Sequence, residues 1–237
     1  MSKPDLLLLP GMLCDMASWE AQITALDDCC KSRVVSFGDA NSIEAMAEIA
    51  LAGAPDRFAL AGHSMGGRVA QAIYRRVPRR VTKLALLATD FRGHAGDSER
   101  RAEAARRDEM IARVSLVGLA EFARDWARQV VSPSRLEDVP LLTAVAEMMA
   151  RHTPEQLAAQ TWAGLTRPDF TDLLPTISCP TLIIAGDEDA LRPVAVHREM
   201  AGLIPRSHLT VLPQCGHMVT MERPELTAAA IRRWLVD

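Results

Sequence analysis

Aromatic rings are scarce in this chain: Phe, Trp and Tyr together make 4% of it, and Tyr74 is its one tyrosine. Aromatic stacking is therefore a poor basis for recognition, whereas eleven methionines offer flexible thioether packing. An excess of positive charge is missing too. Lys and Arg number 27 against 30 Asp and Glu, a net charge of −3, which argues against a nucleic-acid partner. No run approaches the roughly 20 apolar residues of a membrane span. Leu6-Leu7-Leu8-Leu9 before Pro10-Gly11 is also too short for the core of a secretion signal, about 7–15 residues. The five cysteines (Cys14, Cys29, Cys30, Cys179, Cys215) are odd in number and lack CxxC spacing, so neither a disulfide framework nor a metal site is expected. These absences point to a reduced, cytoplasmic protein away from membranes.

What is present is an ordinary globular balance, 49% hydrophobic and 24% charged, which excludes a disordered chain. Short apolar runs recur, each followed by turn residues. They are Asp5–Leu9, 33–37, 58–61, 83–88, 181–185 and 208–212. Near-continuous hydrophobicity over so few residues suits strands buried on both faces of a parallel sheet. Helical patterns lie between them, over 42–52, 66–76 and 224–236. Strands alternating with helices predict a doubly wound α/β sheet. Residues 91–175 break the rhythm with no strand-like run. Leu119, Phe122, Trp126 and Val130 instead recur at helical spacing, and Thr153-Pro154-Glu155-Gln156 reads as a capping box with proline at the first helical position. A helical insertion into an α/β core is expected there. The Arg100-Arg101 and Arg106-Arg107 pairs, interleaved with Glu99, Glu103, Asp108 and Glu109, read as the solvated face of one of its helices.

Gly62-His63-Ser64-Met65-Gly66 matches G-x-S-x-G, with a strand pattern before it and a helix pattern after it. Such a turn pushes a serine oxygen out at the top of a sheet, and the flanking glycines relieve the crowding. A serine hydroxyl is a weak nucleophile near neutrality. It needs a base to take its proton and a third group to hold that base, in the chain order Ser, Asp or Glu, His. Among six histidines only His217 follows the last strand pattern; His63, His94, His152, His197 and His208 read as structural or solvated. The acid falls in Gly186-Asp187-Glu188-Asp189, and position after a strand alone leaves Asp187 and Asp189 both open.

Together these segments resemble the α/β-hydrolase superfamily over almost the whole chain. Gly62–Gly67 is similar to its nucleophile elbow, and 177–189 to the stretch that delivers the acid, a register that puts the aspartate at Asp189 with Pro193 trailing. Gly216-His217, followed by Glu222 and Pro224, resembles the segment that carries the base. The resemblance implies a triad of Ser64, Asp189 and His217, and a helical lid over 91–175 inserted into a core of 1–90 and 176–237. Pro10-Gly11-Met12-Leu13 replaces the His-Gly common at the oxyanion loop. The backbone N–H groups of Met12 and Met65 are then the expected oxyanion donors. Because the first strand starts near Asp5, the usual leading hairpin has no room, and about six mostly parallel strands are expected.

The implied activity is a serine esterase that cleaves carboxylic esters through an acyl-enzyme and needs no metal or organic cofactor. Thioester, lactone and carbon–carbon bond hydrolysis and perhydrolysis would use the same triad, and a ligand-binding protein that lost turnover is the reading from another class. A serine at the elbow argues against the branches that use aspartate there. Trp19, Trp126 and Met218 are candidates for the substrate pocket. Met12, Met65 and Met218 adjoin the proposed site residues and suggest an apolar, adaptable acyl groove.

Overall fold

Six parallel strands form one sheet in the computed structural model, which describes residues 3–236. The strands are β1 (Asp5–Leu9), β2 (Lys31–Val34), β3 (Phe58–His63), β4 (Val81–Leu87), β5 (Thr181–Gly186) and β6 (Ser207–Leu212), in the order β2-β1-β3-β4-β5-β6. The leucine run at the start reflects its double burial. Leu7 and Leu9 point into one core cluster and Leu6 and Leu8 into the other, and each such side chain contributes about 1.5–3 kcal/mol.

Helices α1 (Glu20–Leu26), α9 (Val219–Glu222) and α10 (Pro224–Val236) cover the second face, where Leu26, Val219, Ile231 and Trp234 meet Leu6 and Leu8. Helices α2 (Ile43–Ala52), α3 (Met65–Arg76) and α8 (Val194–Leu203) cover the first, through Met46, Val69, Ile73 and Met200. Both faces are therefore roofed, as a parallel sheet requires.

The expected strand over 33–37 lies two residues earlier. The ladder of β2 against β1 pairs Asp5 with Lys31 and Leu8 with Val34, and β1 then runs into Pro10, which has no N–H to extend it. The apolar residues Val35 and Phe37 still face inward, but as the loop that caps the first core.

Between β4 and β5 the chain is helical: α4 (Asp97–Val117), α5 (Leu119–Val130), α6 (Val139–Ala150) and α7 (Pro154–Leu165). The 21-residue α4 buries only Val114, while its Glu103 pairs with Arg107 one turn on and with Arg167. The Thr153–Gln156 capping box is formed. These helices close over a third cluster, which also takes in Leu13 and Met218 from the ends of the sheet. Among the described residues no helix is long and apolar enough to cross a membrane.

Candidate active site

Strand order reverses between β1 and β3, and at such a switch point the loops leaving the strand C-termini splay apart to form a crevice. Ser64 stands there, between the last residue of β3 and the first of α3. Its backbone is at φ 53°, ψ −115°, a left-handed conformation that costs about 1–3 kcal/mol and survives only where the surroundings enforce it. The glycines show how tight those surroundings are. A side chain on Gly62 would strike the Gly66 carbonyl, one on Gly66 the Leu9 carbonyl, and one on Gly67 would reach 2.6 Å from Thr89. The Ser64 N–H donates to Leu87 (2.8 Å), and Thr89 Oγ1 donates to the Ser64 carbonyl (2.7 Å).

His217 arrives from the loop after β6. Its Nε2 lies 2.8 Å from Ser64 Oγ, and its Nδ1 lies 2.8 Å from Asp189 Oδ2. Asp189 is buried, and its other oxygen accepts the N–H groups of Leu191 (2.8 Å) and Arg192 (2.9 Å). Burial alone would raise this carboxyl. The facing imidazole and the two amides outweigh it and hold Asp189 below the usual carboxylate range. With Asp189 ionised, Nδ1 keeps its proton and Nε2 presents its lone pair to Ser64. Asp187 serves elsewhere: it is exposed, and its Oδ1 accepts the Cys215 N–H (3.1 Å).

Met12 and Met65 flank Ser64 from the loop after β1 and from the first turn of α3. Among the described residues neither amide N–H has a hydrogen-bond acceptor. The Met12 loop is held in shape from a distance: Leu13, at φ 52°, donates its N–H to Gln160 of α7 (2.8 Å). Met218 is buried in the third cluster, and half-buried Trp126 packs against that cluster with its ring stacked on Phe122.

Trp19 requires a correction. It ends a short 3₁₀ turn and is wholly buried in the second-face cluster beside Leu6, Leu8 and Val219, so it is core and lines no pocket. A bulky ring on the α1 side of β1 has its apolar partners behind the sheet, and nothing draws it toward the crevice. A groove of about 640 Å³ between α5 and α6, bordered by Ala120, Arg124, Leu142 and Ala146, includes none of the triad residues.

Two groups without an assigned role from the sequence stand beside the triad. Glu222, wholly buried, accepts three backbone N–H groups around His217. His63, also buried, lies 5.2 Å ring to ring from His217, and its Nε2–H donates to the His217 carbonyl (2.8 Å). Its place at the end of β3, directly before the serine, was the available signal. Burial, with the His217 ring alongside, pushes the His63 imidazole down to about 4. The unfolded chain then binds a proton between about pH 6.5 and 4 that the native state refuses, so stability falls as pH drops through that window, by up to about 1.4 kcal/mol per unit. Denaturant titration of His63→Gln should show a smaller acid slope, with buried His197 supplying part of the remainder. An unchanged slope would contradict a neutral His63.

A parallel sheet with serine, imidazole and carboxylate hydrogen-bonded in series at its switch point defines an enzyme of the hydrolase class. Over residues 6–230 the chain matches the alpha/beta hydrolase family, and it belongs to that family. It is 30% identical to a pimeloyl-[acyl-carrier protein] methyl ester esterase of Vibrio cholerae, over 93% of this chain and 90% of that protein. A protein of the same description from Vibrio campbellii is 26% identical over 98% and 94%. Among solved structures, a thermophilic esterase from Thermogutta terrifontis is 32% identical and superposes with a TM-score of 0.86, over 99% of this chain and 90% of that one.

Proposed function

We propose that this protein hydrolyses carboxylic esters through an acyl-enzyme on Ser64. The observation that carries the reading is the unbroken pair of 2.8 Å contacts from Ser64 Oγ through His217 to Asp189. Ser64 Oγ attacks the ester carbonyl while His217 Nε2 takes its proton. The imidazolium so formed faces the Asp189 carboxylate, which stabilises it and fixes the tautomer. The N–H groups of Met12 and Met65 receive the oxyanion, and each such donor is worth about 10²–10³ in rate. His217 returns the proton to the leaving alcohol, then activates water to release the acid.

Residues 91–175 act as the lid over this site. Leu13 and Met218 are core beneath it, and the partly buried Met12 and Trp126 supply the apolar face, a lining suited to an uncharged acyl chain. The relatives that are esterases support the ester bond as the target. A panel of short and long p-nitrophenyl esters, thioesters and lactones tests this. Esters should turn over fastest, with longer acyl chains favoured. Faster lactone or thioester turnover would reassign the bond, and no turnover with no fluorophosphonate labelling would sink the hydrolytic reading.

A further inference from the structure

Three consecutive amides of the loop that carries His217 find acceptors, and none finds one in a neighbouring strand. The His217 N–H donates to the Val130 carbonyl at the end of α5 (2.9 Å). Those on either side, Gly216 (3.0 Å) and Met218 (3.0 Å), donate to the two oxygens of Glu222. The oxygen that takes Gly216 also takes the N–H of Ser132 (2.9 Å), two residues beyond α5. This carboxylate is wholly buried, and among the described residues no arginine side chain donates to it; Arg135 reaches only the Glu222 backbone carbonyl. The approach is so close that a side chain on Gly216 would strike the Ser132 amide and come within 2.9 Å of Glu222 Oε1. Ser132 also donates its hydroxyl to Glu188, in the turn that carries Asp189.

A buried carboxylate is costly to ionise unless several N–H donors converge on it. Burial indeed pushes the Glu222 carboxyl up, and the three amides act against it. An apolar residue would fill the same space without that cost, so the group has a use that packing alone does not explain. A shift of about 1 Å at a reacting group can cost about 10²-fold in rate.

We propose that Glu222 is a positioning residue. It clamps the His217 loop to the lid-side segment at Ser132, and so holds the imidazole in line between Asp189 and Ser64. This rests on the hydrolytic reading above for its kinetic consequence, but not for its geometry. Glu222 touches no reacting atom. It acts through the backbone on both sides of the base and makes the base's alignment depend on where the end of α5 sits.

The test is Glu222→Gln, which keeps the volume but swaps one acceptor oxygen for a donor that must face either Met218 or the Gly216–Ser132 pair. In a variant shown folded by circular dichroism, kcat and the rate of fluorophosphonate labelling should both fall by about 10–10²-fold, with KM within about threefold. Glu222→Asp, which keeps both oxygens, should recover part of the loss. The Nδ1 proton between His217 and Asp189 should give a far-downfield NMR signal in the wild type that broadens or shifts in Glu222→Gln. That readout needs no activity, so wild-type protein that fails to label would count against the hydrolytic reading alone. Folded Glu222→Gln with wild-type kcat, or with the signal unmoved, would overturn the proposal. So would fast hydrogen exchange at the Ser132 amide of the wild-type protein, whatever the variant does.

Discussion

Alanine at position 64 should leave a folded protein that neither reacts with a fluorophosphonate nor turns over esters above background, a loss of about 10⁴–10⁶-fold. The fold is expected to persist because the serine hydroxyl serves no structural purpose. The turn is held by the Ser64 N–H to Leu87, by Thr89 on the Ser64 carbonyl and by glycines that admit no side chain. Alanine is no worse than serine at φ 53°. What disappears is the oxygen 2.8 Å from His217 Nε2, and the nearby Thr89 hydroxyl does not replace it, since its Oγ1 is committed to the Ser64 carbonyl. Mass spectrometry after labelling, with turnover on the best ester, measures both halves. A Ser64→Ala protein that still forms the adduct would move the nucleophile elsewhere.

The acid allows a sharper contrast. Asp189→Asn should lower kcat by about 10⁴-fold, while Asp187→Asn should stay within a few-fold of wild type. The size of the first effect follows from the two amides on Asp189 Oδ1. The N–H groups of Leu191 and Arg192 demand an acceptor at that position, so the asparagine oxygen is drawn there and its NH₂ is turned toward His217 Nδ1. A donor at that point forces the lone pair onto Nδ1 and the proton onto Nε2, the tautomer that cannot take a proton from serine. Asp187 has no such conflict, because an asparagine oxygen still accepts the Cys215 N–H. Steady-state kinetics on both variants decide the matter. Equal losses, or the reverse order, would shift the acid to Asp187.

The residues whose backbone must do something unusual were the legible ones. An elbow that excludes side chains demands Gly62 and Gly66, and it leaves a pattern in the chain that needs no knowledge of the partner elements. Strands buried on both faces announce themselves as apolar runs, so β1 and β5 were read to within a residue. The edge strand β2 was misplaced by two residues because its apolar tail packs as a loop, and nothing local distinguishes Val35 in a loop from Val35 in a ladder. Trp19 failed for a related reason: a ring near the first strand can be drawn to either face, and its buried surface decides only after residues 219–222, from the far end of the chain, are in place. Glu222 stood within the segment that carries the base, and His63 directly before the serine, but the Ser132 amide and the His217 carbonyl that they meet lie 90 and 154 residues away in the chain.

Strand order bears on the protein's synthesis. A chain leaving the ribosome N-terminus first lays down β2, β1, β3 and β4 as immediate neighbours in the sheet. The elbow with Ser64 can therefore form while the nascent polypeptide still lacks β5, β6 and the imidazole of residue 217. The hydrogen bond from His217 Nε2 to Ser64 waits for that last loop to dock against the end of α5. The Ser64 hydroxyl and the His217 imidazole thus come together only once the last strand and the loop after it are in place.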